Sequence, residues 1–392
     1  MPPLKGEIKA RIDKLAQRLA AHHYDAALIR HPLNIYYFSG TFVDGHLVIT
    51  AKGKAYLLVF RVLSRAEEEA CVEEVLSFRS LRKLSSFLRD LQVQSLALEE
   101  DRLPLKVYRN YQHLLCDFDL GDLSPLVREL RALKSPYERD CLRKAGLMLK
   151  EALEAFWPQV RPGLSELELA GLLEAELRRR GHPAYTRTYA FHQELAYGHL
   201  LSGPSGAFPS YLTTGQGGVG VPGFPQGPSF KLLEKNEPLL VDYAGWFEGY
   251  MVDQSRIFCV GELDPSLSTA FYKVKSLLEA LEKKLYPGVS LGEIYAYAFA
   301  FAEEMGMAQE LMAHGKEGVP FIGHGVGLEI DEWPPVAPNV HVPLQEGMVI
   351  ALEPKLHFPG QGVIGLEDTF YITSSGPERL TVFPRQIISK SP

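Results

Sequence analysis

The chain has 392 residues, of which 46% are hydrophobic, so it is long enough for two domains with separate cores. Its 41 basic and 48 acidic residues give a net charge of -7, which argues against nucleic acid as a partner. The absence of an N-terminal apolar signal region and of any run of about 18 apolar residues predicts a cytoplasmic protein without a membrane partner.

The first third of the chain predicts a mixed α/β domain over residues 1–132. Ile8, Ile12 and Leu15 recur at helical spacing, and the apolar run AALI that follows predicts a short strand. The segments HLVIT and AYLLVF flank AKGK, whose Gly53 suits the turn of a hairpin. These elements indicate a compact first domain.

The second domain, predicted over residues 133–392, begins with a helix-capping motif. In SPYE, Ser135 is placed to cap a helix and Glu138 to close the capping box. Two later segments resemble each other, RPGLSELELAGLLEAELRRRG and YPGVSLGEIYAYAFAFAEEMG, and each predicts a helix with its own capping box. The predicted pairs are Ser165 with Glu168 and Ser290 with Glu293.

Each of these similar segments is followed by an apolar strand pair that carries two acids. Asp242 and Asp253 lie in LLVDYAG and GYMVDQSRIF after the first segment. Glu353 and Glu367 lie in MVIALEPKLHF and VIGLEDTFYIT after the second. The repeated order of helix, helix and acidic hairpin predicts an internal duplication, whose pseudo-two-fold axis brings the acids together.

Four carboxylates in buried strands need a cationic partner. Burying one unpaired charge costs several kcal/mol, and four that converge repel one another, so either their pKa values rise or divalent ions neutralise them. His324, in the glycine-rich segment FIGHGVG, adds an imidazole ligand. Two divalent ions balance four carboxylates, and the set predicts a metal site although each residue alone is more typical of a turn or a strand end.

Residues 202–230 are rich in Gly, Pro and Ser and connect the two halves of the predicted duplication. A long connection of this composition is either a flexible loop or a wall of the active site. Phe208, Tyr211 and Phe224 give it apolar surface to pack, which favours the wall.

With these residues in place, the chain resembles the pita-bread metallopeptidases, in particular Xaa-Pro dipeptidase (prolidase) and Xaa-Pro aminopeptidase (aminopeptidase P). HPLNIYYFSGT is similar to the signature of that family's N-terminal domain, and LKSPYERDCLRKAG to the start of its catalytic domain. The two aspartates eleven residues apart, the GHGVG histidine, the Glu-Pro pair and the Glu-Asp-Thr string match the family's metal ligands in order and type. The resemblance implies an α/β (α+β) fold in which a creatinase/prolidase-like domain precedes a pseudo-two-fold pita-bread catalytic domain.

The resemblance also implies the chemistry. Two divalent metal ions, Mn, Co or Zn, are expected, with five ligands: Asp242, Asp253, His324, Glu353 and Glu367. A metal-bridging hydroxide would attack a peptide bond next to proline, and Glu353 would carry the proton to the leaving amine. The implied substrate is a peptide or dipeptide, and the implied assembly is a homodimer.

Three positions depart from the family pattern. Ser210 and Asp331 stand where the family usually has histidines, and Gly365 stands where it usually has an arginine. These positions are the candidate substrate-binding residues by analogy, and the missing donors favour an altered substrate. His192 and His199 are candidate replacement donors and therefore candidate catalytic residues.

Two alternatives stay open beside a proline-directed peptidase. One is a dinuclear-metal amidohydrolase of the same fold with a non-prolyl substrate, which the altered substrate positions favour. The other is a non-catalytic peptide-binding module, which the intact set of five metal ligands disfavours.

Overall fold

A computed structural model describes residues 5–190, 193–195, 197–212, 215–313 and 318–391. The chain divides into two compact units, Met1–Arg131 and Ala132–Pro392. We keep residues 1–132 and 133–392 as the proposed domains.

The first unit is built on a six-stranded mixed sheet. Its helices are α1 (Lys5–Ala21), α2 (Pro32–Ser39), α3 (Leu63–Glu69), α4 (Leu84–Asp90), α5 (Leu105–Leu114) and α6 (Ser124–Ala132). Its strands are β1 (Ala26–Ile29), β2 (Gly45–Thr50), β3 (Ala55–Val59), β4 (Glu74–Ser77), β5 (Ser95–Leu98) and β6 (Asp119–Asp122). The strand order is β4-β3-β2-β1-β5-β6, in which β2 pairs antiparallel with both neighbours and the other pairs are parallel.

The elements predicted for this unit are present. Ile8, Ile12 and Leu15 form the buried face of α1, and AALI is the buried strand β1. The predicted hairpin is β2–β3, and Gly53 in its turn has a φ of 77°, a value that glycine adopts without strain. Apolar periodicity therefore located these elements correctly.

The described part of the second unit contains four long helices and three sheets. Its helices are α7 (Pro136–Phe156), α8 (Glu166–Arg179), α9 (Pro265–Glu282) and α10 (Leu291–Glu304). Its strands are β7 (Gly198–Ser202), β8 (Leu239–Phe247), β9 (Tyr250–Val260), β10 (Gly323–Gly325), β11 (Glu332–Val336), β12 (Val349–Leu352), β13 (Lys355–Phe358), β14 (Gly362–Gly365), β15 (Asp368–Thr373), β16 (Gly376–Arg379) and β17 (Ile388–Lys390). The sheets have the orders β17-β9-β8-β7, β11-β10-β12-β15-β16 and β13-β14.

The two halves of this unit have matching parts. Helices α7 and α8 share a buried core with β7, β8 and β9, and α9 and α10 share a second core with β12, β14 and β15. The halves meet where β9 contacts β15: the Asp253 amide donates to Thr369 Oγ1 at 2.8 Å, and this hydroxyl donates to the Asp253 carbonyl at 2.9 Å. The two acidic hairpins therefore face each other.

Two of the three predicted capping boxes form, namely Ser135 with Glu138 and Ser165 with Glu168. The third prediction, Ser290 with Glu293, is wrong. The Ser290 hydroxyl donates to the Val340 carbonyl at 3.2 Å, and the amides of Leu291 and Gly292 donate to the carbonyls of Val342 and Val340. A neighbouring chain segment thus satisfies the first amides of α10, so the helix start needs no side-chain cap.

A buried ion-pair network supports the start of β15. Both oxygens of Asp368 are paired: Arg256 Nη2 and Thr381 Oγ1 donate to Oδ1, each at 2.6 Å, and Arg385 Nε donates to Oδ2 at 2.5 Å. Arg256 Nη1 also donates to the carbonyl of Glu367 at 2.6 Å. The network fixes the backbone from which the Glu367 side chain projects.

Within the described ranges, every helix is too short or too polar to span a lipid bilayer.

Candidate metal centre

The first acidic hairpin places its two aspartates on one face. In the antiparallel pair β8–β9, Asp242 lies opposite Ser255 and Ala244 lies opposite Asp253. Because side chains alternate along a strand, Asp242 and Ala244 share a face, and Asp253 is a diagonal neighbour of Asp242 on that face. The side chains of both aspartates are 15% exposed.

The second acidic hairpin places its glutamates at the ends of two paired strands. Glu353 follows β12 and Glu367 precedes β15, and their neighbours Leu352 and Asp368 lie opposite each other. Across β10, His324 lies opposite Ala351, which makes it a diagonal neighbour of Glu353. The sheet that contains β10, β12 and β15 therefore brings two carboxylates and an imidazole to one place.

Three of the four predicted carboxylate ligands surround His324. Its Nε2 lies 3.3 Å from Glu353 Oε1, 3.9 Å from Glu367 Oε1 and 4.0 Å from Asp253 Oδ2. One ligand atom from each of Asp253, His324 and Glu367 lies within 4.8 Å of the other two. Glu367 Oε1 is buried and has no hydrogen-bond partner among the described residues. This geometry fits one divalent ion, since metal–ligand distances of about 2.0–2.2 Å set ligand atoms roughly 3–4 Å apart.

Asp242 lies against a residue that the sequence analysis did not single out. Lys355 Nζ donates to Asp242 Oδ2 and to Glu353 Oε2, each at 2.8 Å, and lies 3.4 Å from Glu367 Oε2. Its side chain is 9% exposed. Lys355 stands two residues after Glu353 in an extended segment, where alternate side chains share a side, so a lysine in the apolar string MVIALEPKLHF is the sequence feature that could have revealed it.

The protein's own charges leave this cluster unbalanced. Burial raises the pKa of Asp253 to about 7 with help from the Asp242 charge, and burial together with Asp253 raises the pKa of Glu367 well above its usual range. Burial opposes charge on Glu353 as well, yet Lys355 and His324 hold its pKa at about 2. Burial also opposes charge on His324, yet Glu353 and Asp253 raise its pKa to about 10. The cluster therefore contains four carboxylates and two protein cations, Lys355 and His324, and is short of positive charge.

Two of the predicted substrate-binding residues are engaged with the protein itself. The Asp331 carboxylate accepts hydrogen bonds from the amides of Tyr189 and Ala190. Gly365 lies opposite Lys355 in the hairpin β13–β14, and the space beside it is taken by the Lys355 side chain. Their contact with substrate stays a prediction.

Two cavities open beside the acid cluster. The smaller, of about 60 Å³, is lined by Thr186, Leu195, Tyr197, Ile330 and Asp331 among others. The larger, of about 760 Å³, is lined by Pro209, Ser210, Tyr211, Glu310, Phe321 and His357 among others. Both cavities reach His199, Asp242, Glu353 and Lys355. Pro209, Ser210, Tyr211 and Gln216 of the connection thus lie in the wall of the larger cavity, as the sequence predicted for the connection.

Of the two predicted replacement donors, His199 is the one that lies in the described ranges. It lies opposite Asp242 in the pair β7–β8, and burial lowers its pKa and so favours the neutral imidazole. Whether it contacts substrate stays a prediction. His192 lies outside the described residues.

Two family models match the chain. The model of metallopeptidase family M24 matches residues 140–374, and the model of the creatinase/prolidase N-terminal domain matches residues 11–133. Together they cover most of the two units.

Several known proteins are similar over nearly the whole chain. The Xaa-Pro dipeptidase of Pyrococcus furiosus is 25% identical over 382 residues, which are 97% of this chain and 100% of that protein. The crystal structure of X-Pro aminopeptidase from Thermotoga maritima MSB8 has a TM-score of 0.81 at 25% identity and covers 97% of this chain and 99% of that chain. The crystal structure of the prolidase from Pyrococcus horikoshii OT3 has a TM-score of 0.79 at 25% identity and covers 97% of this chain and 100% of that chain. The predicted resemblance and the predicted fold class are confirmed.

Proposed function

Because the chain belongs to metallopeptidase family M24, we propose that it is a metal-dependent hydrolase that cleaves a peptide bond next to proline. The observation that carries the proposal is the buried Oε1 of Glu367, which has no hydrogen-bond partner in the described ranges and lies beside His324 and Asp253. A protein seldom buries a carboxylate oxygen without a partner unless a ligand completes the site. A divalent cation is the ligand that this donor set suits.

We assign the ion to Asp253, His324 and Glu367, with Glu353 beside them. When bound, it would acidify a water near neutral pH and polarise a carbonyl oxygen. Mn, Co and Zn all accept carboxylate and imidazole ligands, and we retain these three as candidates.

Proton transfer is assigned to Glu353. Its two oxygens face different partners, Oε1 towards His324 at 3.3 Å and Oε2 towards Lys355 at 2.8 Å. Both cavities reach its carboxylate. It is therefore within reach of substrate on either side of the scissile bond, where it can accept a proton from the attacking water and pass it to the leaving amine.

Proline in the substrate is supported by the relatives. The Pyrococcus furiosus protein is named an Xaa-Pro dipeptidase, and the Thermotoga maritima structure an X-Pro aminopeptidase. The unequal cavities fit a bond cleaved at the acid cluster, with a small residue on one side and a longer peptide on the other. This arrangement favours substrates that extend beyond a dipeptide.

A second candidate function is hydrolysis of an amide that lacks proline. It is favoured by Asp331 and Gly365, because the first is held by backbone amides and the second has no side chain to contact a substrate. The donors that the family usually places at these positions are thus missing, and a different substrate would follow from their loss.

The test is a hydrolysis panel with protein reconstituted with Mn, Co or Zn. The panel contains Ala-Pro, Met-Pro, Xaa-Pro-Xaa tripeptides and matched peptides without proline. We expect proline-selective cleavage that Glu353→Gln abolishes, while Glu279→Gln on the surface of α9 leaves it unchanged. Cleavage without proline preference would establish the second candidate, and binding of peptide without cleavage would establish a non-catalytic module.

We also propose a cytoplasmic homodimer. Sedimentation velocity of the metal-loaded protein distinguishes a dimer from a monomer of 43.8 kDa.

A further inference from the structure

Lys355 occupies the part of the acid cluster that borders Asp242. Its ammonium lies 2.8 Å from Asp242 Oδ2, 2.8 Å from Glu353 Oε2 and 3.4 Å from Glu367 Oε2. Three carboxylates around one buried ammonium are the surroundings that a metal ion would have at this place. The residue was not among the predicted site residues, and no role has yet been assigned to it.

The two glutamates divide their oxygens between two cation positions. Their Oε2 atoms face Lys355, whereas their Oε1 atoms face His324, at 3.3 Å for Glu353 and 3.9 Å for Glu367. Asp253 lies on the His324 side and Asp242 on the Lys355 side. The cluster thus has two adjacent cation positions, and the protein itself supplies the cation for one of them.

Gly365 makes room for the lysine. It lies opposite Lys355 in β13–β14, and a Cβ added at Gly365 would lie 2.6 Å from Lys355 Cγ and 3.3 Å from its Cβ. These atoms form the stem of the side chain, so a larger residue at position 365 would displace the whole lysine. The lysine can therefore occupy this position only because residue 365 has no side chain.

Charge favours the same conclusion. Two divalent ions alone balance four carboxylates, so an ammonium in addition to both would make the cluster positive. An ammonium with one divalent ion leaves a single negative charge. A second ion beside Asp242 would also need the space and the carboxylate oxygens that Lys355 Nζ already holds at 2.8 Å.

We propose that this site binds one divalent ion, at Asp253, His324 and Glu367 with Glu353, and that the Lys355 ammonium replaces a second ion beside Asp242. The proposal rests on the proposed metal-dependent function and revises the predicted pair of ions to one ion and one ammonium. Lys355 also borders both cavities, so its positive charge lies next to the place where substrate would lie.

Metal stoichiometry tests the proposal. Full-length protein is stripped with a chelator, titrated with Mn²⁺ by calorimetry, and assayed for bound metal by mass spectrometry. We expect one Mn²⁺ per chain and the electron paramagnetic resonance spectrum of an isolated ion. Lys355→Ala, which removes both the charge and the side chain that fills the position, is expected to bind two with an exchange-coupled spectrum.

Two further variants control the experiment. Lys355→Met fills the same space without charge and is expected to retain one ion. Lys150→Ala, at a partly exposed lysine of α7, is expected to match the unaltered protein. Circular dichroism identifies a variant that does not fold. If Lys355→Ala does not fold, the number of ions bound by the unaltered protein and by Lys355→Met still tests the proposal.

Two Mn²⁺ per chain in the unaltered protein would overturn the proposal and leave the proposed function intact. A folded Lys355→Ala variant that binds one ion would overturn it as well. A folded, unaltered protein that binds no Mn²⁺, Co²⁺ or Zn²⁺ would overturn the proposed function itself, so the two failures are distinguishable.

Discussion

Glu367 and Asp368 are adjacent, buried carboxylates with opposite surroundings. Asp368 accepts hydrogen bonds from Arg256, Arg385 and Thr381, and both of its oxygens are paired. Glu367 accepts from Ser255 through Oε2, whereas its Oε1 has no partner in the described part of the chain. The same strand start therefore carries one carboxylate that the protein neutralises and one that it leaves for a ligand.

The two residues illustrate two kinds of buried carboxylate, one that stabilises the fold through ion pairs and one that is available to bind a ligand. A buried ion pair that is fully hydrogen-bonded is costly to break, because removing one partner leaves the other charge uncompensated. A buried carboxylate that lacks a cation costs stability until a ligand binds. Lys355 stands between the two cases, since it is a protein cation placed among carboxylates that also face the ion position.

Removing the paired carboxylate is expected to have the largest effect. Asp368→Asn leaves the buried Arg256 without its counter-charge and Arg385 with Glu282 alone, so the free energy of unfolding should fall by about 3–5 kcal/mol. Denaturant titration of the metal-free protein measures this change in unfolding free energy. Glu378→Gln, whose partners Arg139 and Arg143 are partly exposed, is the matched control with an expected loss below about 1 kcal/mol. Equal losses in the two variants would contradict this account of Asp368.

Removing the carboxylate of Glu367 is expected to affect function instead of stability. Glu367→Gln deletes a proposed ligand, so kcat/KM of the metal-loaded protein should fall at least about 100-fold, or roughly 2.7 kcal/mol. The metal-free protein should be as stable as the unaltered chain or more so, because burial raises the pKa of Glu367 and so favours its neutral form, which glutamine resembles. A stable variant that keeps activity and Mn²⁺ affinity within a few-fold would refute the assignment of Glu367.

Crowding the lysine tests the link between Lys355 and Gly365. Gly365→Arg forces the Lys355 stem to move, and overpacking of this kind costs about 1–3 kcal/mol of unfolding free energy. Adding Lys355→Gly to that variant should recover part of the loss, because the clash is removed. A double-mutant cycle by denaturant titration measures the coupling, and strictly additive effects would show that the two residues do not share the space.

A buried group without any charge provides the smallest effect, in the first unit. Burial lowers the pKa of His46 to about 3, so the folded protein keeps this imidazole neutral at pH values where the unfolded chain, with a pKa near 6.5, takes up a proton. Stability is therefore complete above about pH 6.5 and declines as the pH falls towards 3. Between pH 7 and 5.5 the loss from His46 should be about 1 kcal/mol.

In His46→Gln, the unfolding free energy should fall by about 1 kcal/mol less between pH 7 and 5.5 than it does in the unaltered protein. His22→Gln, at an exposed histidine, should leave the difference as it is. The opposite result, a pH dependence that follows His22, would show that His46 is not held neutral by burial.

Local sequence pattern was sufficient to find the acids but not their partner. Asp242, Asp253, Glu353 and Glu367 were conspicuous because carboxylates are rare in apolar strands, and the structure brings all four together with His324. Lys355 lies in the same kind of string, yet a lysine at the start of a strand is common at a surface, and only the packing shows it to be buried.

Register and long-range contacts account for what the sequence could not predict. The space at Gly365 depends on its pairing with Lys355, which is set by the turn between β13 and β14. The predicted cap at Ser290 does not form because carbonyls of the segment around Val340 accept hydrogen bonds from the Ser290 hydroxyl and from the first amides of α10. Both features depend on residues distant in the chain or on the opposite strand, which local periodicity does not report.

The most direct test of the division between protein and ligand cations is anomalous diffraction from crystals of the Mn²⁺-loaded protein. The account predicts one manganese peak per chain, between Asp253, His324 and Glu367, with Lys355 Nζ still beside Asp242. Two peaks per chain, with Lys355 turned away from Asp242, would contradict it.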